Sequence, residues 1–177
     1  MDKTIKYLFK IVIFPITIIF YFFKYIYKWI DKKITGKYLL KLDINSVDSL
    51  DGKEFEEFLY YSFRSLGLNV TRTQTSRDYG ADLVIKIKDQ VIVIQSKLYF
   101  NHNVGNSAVQ EIATARNYYR ADIGMVITNS YFTKSAYSLA ESNGITLIDR
   151  KSLSEFLISD SISKKEMIDS WLYQSYS

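Results

Sequence analysis

Four polar residues of this chain have the types and the spacing that metal-assisted hydrolysis requires. Asp82 lies at the start of a β-prone run, and Gln95 and Lys97 lie near the end of the next run. Residues two apart on a strand share a face, so Gln95 and Lys97 point together, and Asp82 can join them across a hairpin. Glu56 lies beside the apolar stripe of a predicted helix and is aimed inward. Two carboxylates, an amide and an amine can therefore converge.

These groups suit the hydrolysis of a phosphodiester bond. A hard cation such as Mg²⁺ selects carboxylate and carbonyl oxygens, activates water and neutralises charge on the phosphate, while a lysine stabilises the anion. Asp82 is the principal predicted ligand. The chain has no cysteine and a single histidine, His102, so any metal must be held by oxygen atoms. Taken singly, the signals are weak, because an Asp at a strand start is usually a turn residue and a Q-x-K tripeptide is usually an exposed face.

The elements that position these residues are predicted from capping signals and periodicity. Asp51 with Glu54 forms a capping box before apolar residues at helical spacing, which continue to Gly67. Three β-prone runs joined by turn-like segments predict an antiparallel meander. The runs are 68–73, 81–86 and 90–97.

The second half of the chain alternates helices and strands. Ser107 with Gln110 predicts a second capping box, and Thr133 with Gly144 predicts the start and the stop of a third helix. Two more strands and a helical end are predicted at 123–128, 145–148 and 151–177. The order αβββαβαβ, a meander followed by β-α-β, predicts an α/β fold with a mixed central sheet and helices on both faces.

Several motifs in this order give the chain a family resemblance. They are G-K-E-F-E at 52–56, S-R-D-Y-G-A-D-L at 76–83, V-I-Q-S-K at 93–97, A-V-Q-E at 108–111 and V-I-T-N-S-Y-F-T at 126–133. Residues 51–150 thereby resemble the Mrr-type restriction endonucleases of the PD-(D/E)XK superfamily. The resemblance implies a restriction-endonuclease-like αβββαβ core that cuts DNA.

The resemblance also implies a role for each candidate residue. Asp82 and Gln95 take the acidic and second motif positions, Lys97 is the motif lysine, and Glu56 is an additional metal-side acid. The carbonyl of Ser96 completes the coordination of Mg²⁺ or Mn²⁺. Gln95 stands where the superfamily usually has Glu. The resemblance implies that the Mrr-type subgroup shares this replacement of Glu by Gln. Since a neutral amide attracts a cation less than a carboxylate does, Glu56 becomes more important.

Candidate DNA contacts surround this site. Arg77 in the loop before Asp82, Gln110 at a helix start and His102 in a polar loop are the predicted nucleic-acid-binding residues. Capping alone also explains Gln110, and a bystander role also explains His102. Residues 42–177 carry 14 basic and 17 acidic side chains, so bulk charge does not attract DNA. Binding must rest on a local patch and on metal.

The N-terminus predicts a membrane anchor. Residues 11–23, IVIFPITIIFYFF, carry no charge and are flanked by lysines, and a helix over 7–30 would reach about 36 Å. A single transmembrane helix is favoured, with an interfacial helix and a soluble core helix as alternatives. Lysines are more numerous after the apolar run than before it, which predicts a cell-membrane protein with a cytoplasmic C-terminal domain.

The predicted organisation is an N-terminal membrane anchor, a linker, an Mrr-like endonuclease domain and a C-terminal helical tail. Their ranges are 1–33, 34–50, 51–158 and 159–177. The predicted function is a membrane-anchored, metal-dependent DNA endonuclease in restriction or defence, with a repair or junction nuclease as a variant. The predicted partners are DNA and the lipid bilayer, and a homodimer is left open. The alternative is a catalytically inactive nuclease-fold module that binds nucleic acid or protein at the membrane.

Overall fold

The computed structural model describes residues 14–73 and 79–173. The chain divides into two compact units between Leu39 and Leu40, and the first contains helix α1, Phe14–Leu39. No helix in the described ranges is long and apolar enough to cross a membrane. The predicted transmembrane helix is therefore not found there, and its part before residue 14 lies outside the described residues. Charged residues recur along α1 from Lys24 onward, which leaves less than the run of about 20 apolar residues that a span requires.

The second unit has the predicted order of elements, preceded by a short helix. Its helices are α2 Ile44–Val47, α3 Gly52–Ser65, α4 Asn106–Tyr118, α5 Lys134–Asn143, α6 Arg150–Ile158 and α7 Ser161–Tyr173. Its strands are β1 Asn69–Arg72, β2 Leu83–Ile87, β3 Gln90–Lys97, β4 Ile123–Thr128 and β5 Ile145–Ile148. The strands form one sheet in the order β1-β2-β3-β4-β5, antiparallel from β1 to β3 and parallel from β3 to β5. The predicted mixed α/β fold is confirmed.

Helix α3 begins as its sequence predicts. Asp51 Oδ1 accepts a hydrogen bond from Glu54 N, and Glu54 Oε2 accepts one from Asp51 N, each at 2.8 Å. A cap of this kind contributes about 1 kcal/mol to helix stability. Phe55, Phe58 and Phe63 on the inward face are buried. The cap and the buried aromatic residues together stabilise α3, the helix that carries the candidate acid Glu56.

Helix α4 begins differently from the prediction. The helix starts at Asn106, its N-cap residue is Gly105, and no side chain caps it. The predicted capping box of Ser107 with Gln110 is therefore wrong. Ser107 already belongs to the first helical turn, and a residue with helical backbone angles cannot take the extended conformation of an N-cap.

Helix α5 begins and ends as predicted. Thr133 Oγ1 accepts a hydrogen bond from Ala136 N at 3.1 Å. Gly144 ends the helix with a φ of +59°, a left-handed conformation that favours glycine. Strand β5 follows at once, so this stop sets where the chain enters the sheet again.

Helices cover the sheet and bury its central strands. Val93 and Val126 on neighbouring strands belong to one buried cluster with Ile112 of α4. Outside this cluster, Phe63 of α3 contacts Phe156 of α6, with ring centroids 6.0 Å apart. All six residues of β4 are buried, which is expected of a strand covered on both faces. The candidate residues of the sheet, Asp82, Gln95 and Lys97, lie at or near the ends of β2 and β3.

Candidate active site

The antiparallel pairing of β2 with β3 brings Asp82 next to the end of β3. Leu83 pairs with Ile94, and Asp82 N donates a hydrogen bond to Ile94 O at 2.8 Å. Ile94 is therefore shared by Leu83 and Asp82, and the regular ladder between β2 and β3 ends at Leu83. The end of the hairpin nevertheless brings Asp82 beside Gln95, because Gln95 Nε2 lies 2.9 Å from Asp82 Oδ2.

The Asp82 carboxylate is hydrogen-bonded to two neighbouring residues near the end of β3. Its Oδ2 accepts hydrogen bonds from Gln95 Nε2 at 2.9 Å, from Ser96 N at 2.7 Å and from Ser96 Oγ at 2.7 Å. Gln95 and Ser96 are 7% and 8% exposed, so Gln95 does not lie on a solvated strand face. Asp82 itself is half-buried. Hydrogen bonds that end on a carboxylate are stronger than neutral ones, so this contact fixes the hairpin end.

Lys97 is paired with an acid that the sequence analysis did not assign. Its Nζ lies 2.6 Å from Glu111 Oε2, and the two side chains are 20% and 41% exposed. Glu111 directly precedes Ile112 in α4 and lies three residues after Ala108, both of which are buried. Residues three or four apart share a helix face, so this spacing could have indicated that Glu111 lies beside the sheet. The helix thus contributes a carboxylate to the site.

Gly80 brings the loop before Asp82 against α4. Its φ is +90°, and a Cβ added there would lie 2.8 Å from Glu111 O, so both the conformation and the space require glycine. Tyr79 stacks on Tyr118 with ring centroids 3.8 Å apart. A side-chain hydrogen bond with Tyr79 raises the pKa of the Tyr118 phenol. The turn that leads into β2 is therefore anchored on α4 at two points.

The other predicted residues lie around this centre. Glu56 is half-buried on α3, and Gln110 is exposed at a cavity of about 340 Å³ that also has Gly80 and Glu111 in its wall. His102 is exposed, and its Nδ1 donates a hydrogen bond to Phe100 O at 2.7 Å. Arg77 lies outside the described residues, as does the rest of 74–78. Within 14–73 and 79–173, no group of three or more His, Asp or Glu residues could by itself hold a metal.

Three comparisons relate the chain to known proteins. The Mrr_cat family model, described as restriction endonuclease, matches residues 47–157. No curated protein sequence matches the chain. Among solved structures, the protein of unknown function AF1548 is similar, with 14% identity and a TM-score of 0.49, over 67% of this chain and 77% of that one.

Two further similar structures are restriction endonucleases. The DNA modification-dependent restriction endonuclease AspBHI has 19% identity and a TM-score of 0.49, over 80% of this chain and 40% of that one. The MspJI restriction endonuclease in complex with a 27-mer oligonucleotide has 20% identity and a TM-score of 0.48, over 81% of this chain and 35% of that one. The chain thus spans less than half the length of these two enzymes. Because the family model covers well over half of this chain, the protein belongs to the Mrr-type restriction endonuclease family.

Proposed function

We propose that this protein is a metal-dependent DNA endonuclease that hydrolyses phosphodiester bonds in the restriction of foreign DNA. Membership of a restriction endonuclease family supports DNA as the substrate. The observation that carries the proposal is the Asp82 carboxylate, which is held by hydrogen bonds from Gln95 and Ser96. The proposed metal ligands are the side chains of Asp82, Gln95 and Glu56 and the backbone carbonyl of Ser96. We call these four groups the metal side of the site. Lys97 is the proposed contact for a phosphate group of the DNA, and we call its position the phosphate side of the site.

The donor chemistry of the metal side suits Mg²⁺ or Mn²⁺. Carboxylate, amide and carbonyl oxygens are the ligands that hard cations select. Gln95 Nε2 lies 2.9 Å from Asp82 Oδ2 and 3.3 Å from Ser96 O, so a positively polarised N–H group lies between two oxygens. A cation is attracted to the same two oxygens. Gln95 would join these two oxygens as a ligand if its amide presented Oε1 in place of Nε2.

The chemistry that the cation supplies when bound is activation of water and neutralisation of phosphate charge. Lys97 supplies a further positive charge from the chain itself. A charge that is oriented before the reaction stabilises the negative charge that develops on the phosphate, without a reorganisation cost. Glu111 supports this orientation from 2.6 Å away, so we assign it as a positioning residue. A phosphate oxygen of bound DNA then shares or replaces Glu111 as the partner of Lys97.

Plasmid cleavage tests the proposal. The full-length protein is expected to cut supercoiled plasmid, methylated or unmethylated, in the presence of Mg²⁺ or Mn²⁺, and excess chelator is expected to stop cutting. Nicked circles indicate that one strand is cut. Linear product indicates that both strands are cut. This outcome is expected if the protein forms the predicted homodimer and its two sites act together. A protein that binds DNA and leaves both plasmids intact at every metal concentration would contradict the nuclease assignment.

Three observations favour a second candidate, a nuclease-fold module that binds nucleic acid or a protein without cutting. The neutral Gln95 stands at a ligand position, and the Lys97 ammonium is already paired within the chain. Residues 42–177 are also acidic overall, with 14 basic and 17 acidic side chains. DNA binding with no cleavage in the plasmid experiment would support this candidate, and any metal-dependent cleavage by pure protein would eliminate it.

We further propose that α1 associates with the cell membrane and leaves the second unit in the cytoplasm. The six side chains of 18–23, Ile-Ile-Phe-Tyr-Phe-Phe, are each more than half exposed. Six consecutive residues pass completely around a helix, so apolar groups lie on all its sides. Deleting residues 1–33 is expected to move the protein to the soluble fraction and to preserve metal-dependent cleavage. A full-length protein found only in the soluble fraction at physiological salt would contradict membrane association.

A further inference from the structure

The carboxyl ends of the parallel strands β3, β4 and β5 enclose a second cavity of about 330 Å³. This strand-end cavity is lined by Asp48, by 99–103 after β3, by 129–131 after β4 and by Arg150 after β5. Crevices outside the carboxyl ends of parallel strands are the usual ligand sites of open α/β sheets. The volume falls within the range of small-ligand pockets, about 300–1,000 Å³. The cavity is therefore a candidate binding site separate from the Asp82 carboxylate.

A polar network forms the floor of the strand-end cavity and fixes its shape. Asn129 Oδ1 accepts a hydrogen bond from Tyr99 N at 2.9 Å, and Asn129 Nδ2 donates to Asp48 Oδ1 at 2.9 Å. Arg150 donates to both carboxylate oxygens of Asp48, at 2.7 and 2.8 Å. These groups are hydrogen-bonded to one another, so the floor connects the loops around the cavity. A ligand would therefore be recognised mainly by the residues at the rim.

The charge of the cavity disfavours a phosphate as its ligand. Apart from His102, Arg150 is the only described lining residue that can carry a positive charge. Its charge is balanced by the bidentate pair with Asp48. Charge-assisted hydrogen bonds to a phosphate need cationic side chains that are available to the ligand. A neutral part of a ligand therefore fits this cavity better than an anionic part does.

The rim of the cavity carries groups that recognise nucleobases. Phe100 and Tyr131 are 60% and 50% exposed, so both rings are accessible to a ligand at the mouth of the cavity. The side-chain amides of Asn101 and Asn103 are exposed and make no hydrogen bond to the part of the chain that the structure describes. Aromatic rings stack on unstacked bases, and amides donate and accept hydrogen bonds at base edges.

The cavity is adjacent to the proposed phosphate side of the active site. Lys97 pairs with Thr128 in the ladder of β3 and β4, and neighbouring strands lie about 4.8 Å apart. Asn129 of the cavity floor directly follows Thr128. A DNA strand with a phosphate at Lys97 can therefore place the base of an adjoining nucleotide in the strand-end cavity.

We propose that the strand-end cavity binds one unstacked base of the DNA strand that is cut. This inference rests on the proposed endonuclease function and adds a base-binding subsite to it. Phe100 and Tyr131 provide the stacking surface, and Asn101 and Asn103 contact the edge of the base. The subsite favours DNA in which a base is already free of the stack, as in a single strand or a distorted duplex.

The test compares two labelled single strands of equal length, one with all its bases and one abasic, by fluorescence anisotropy with the full-length protein. Measurements in EDTA at low salt keep the strand uncut. Wild-type protein is expected to bind the strand with bases more tightly. Phe100→Ala and Tyr131→Ala are each expected to weaken that binding by about 5-fold to about 150-fold, the range for loss of one base stacking contact, and to leave abasic binding unchanged.

Matched variants separate stacking from general effects. Phe100→Tyr keeps an aromatic ring and is expected to restore wild-type affinity. Tyr173→Ala removes a ring that is 73% exposed on α7 and is expected to change neither affinity. Since Phe100 and Tyr131 are both exposed, all variants are expected to keep the wild-type melting temperature.

Three outcomes would overturn the subsite: equal binding of both strands by the wild type, equal weakening of both strands by the variants, or no effect of the variants. Failure of the proposed function is distinguishable because it is measured by plasmid cleavage. A protein that binds bases through Phe100 but never cuts retains the subsite and loses the nuclease assignment. A protein that cuts, and whose variants bind both strands like wild type, retains the nuclease assignment alone.

Discussion

The Nζ atom of Lys97 lies 2.6 Å from Oε2 of Glu111, and this ion pair joins the end of strand β3 to helix α4. Glu111→Gln removes the charge that orients the lysine and is expected to lower kcat for cleavage by about 10-fold to 100-fold, as is typical for partners of active-site groups. Both side chains are partly exposed, so stability is expected to fall by no more than about 1 kcal/mol. Single-turnover cleavage and thermal melting measure the two effects.

Glu141→Gln is the matched control for Glu111→Gln, because Glu141 is an exposed acid on the neighbouring helix α5. It is expected to cleave like the wild type. A Glu111→Gln enzyme with an unchanged kcat and a raised KM would show that Glu111 contributes to DNA binding and does not position Lys97.

Alanine variants at Asp82 and Lys97 are both expected to abolish cleavage but to differ in stability. Asp82→Ala leaves the donors of Gln95 and Ser96 without their acceptor, which costs about 1–3 kcal/mol. Lys97→Ala breaks one partly exposed ion pair and costs about 0–1 kcal/mol. Plasmid cleavage measures the loss of activity, and chemical denaturation measures the free energy of unfolding of each variant. Retained cutting by either folded variant would eliminate its catalytic assignment.

Gln95→Glu tests the metal side of the site. The substitution removes the N–H donor to Asp82 and puts a second carboxyl beside that carboxylate. Added negative charge is expected to tighten Mg²⁺ binding, so the metal concentration for half-maximal cleavage falls, whatever the change in rate. Titration calorimetry compares the two proteins. Coincident isotherms would show that Gln95 does not face the metal.

The same variant has a predicted pH signature when no metal is bound. A neighbouring carboxylate raises the pKa of the introduced carboxyl above its unfolded value. The protonated form then contributes stability at low pH, and that contribution is lost as the pH rises through the folded pKa. Without metal, the melting temperature of Gln95→Glu is expected to fall relative to wild type between acidic and neutral pH, and Mg²⁺ is expected to restore it. A pH-independent difference would contradict a close carboxyl pair.

Gly80 and Gly67 form a matched pair for testing the contact between the turn before β2 and helix α4. Their φ angles are +90° and +87°, but an added Cβ meets Glu111 O at 2.8 Å at Gly80 and nothing within 4 Å at Gly67. Both alanine variants are expected to lose about 1–3 kcal/mol from backbone strain. Only Gly80→Ala is expected to lose cleavage as well, because the turn must move away from α4. Equal activity of the two variants would contradict this coupling.

The pair of Asp48 with Arg150 predicts acid sensitivity. The hydrogen bond from Arg150, with a smaller one from Asn129, lowers the pKa of Asp48. A lowered folded pKa contributes stability above the unfolded value of about 3.9 and loses it as the pH falls through the folded value. Asp48→Asn is therefore expected to melt below wild type at pH 7 and to converge with it in acid. Asp169→Asn, at an exposed position, is the control, and a gap that persists in acid would refute the linkage.

Local chemistry made several elements predictable from the sequence alone. The Asp51 capping box and the Thr133 cap join residues three apart, and the Gly144 stop depends on one residue's backbone freedom. Strand pleating requires Gln95 and Lys97 to share a face, whatever the rest of the fold. These signals act within one turn or one strand, so tertiary packing has little to add to them. The start of α4 is the exception, because Gly105 occupies the cap position that the serine signal predicted two residues later.

Contacts between distant segments were decided only by the tertiary structure. Lys97 meets Glu111 because α4 crosses the sheet beside the end of β3, and no local pattern relates the two residues. Asp48 and Arg150 are 102 residues apart, and they meet because β5 ends beside the short helix that precedes the first motif. Residue types and local spacing predicted the candidate groups Asp82, Gln95, Lys97 and Glu56 and the elements that carry them, but they did not indicate the partner Glu111. The packing of helices on the sheet decided their partners, because side-chain pairing depends on distances that only the folded chain defines.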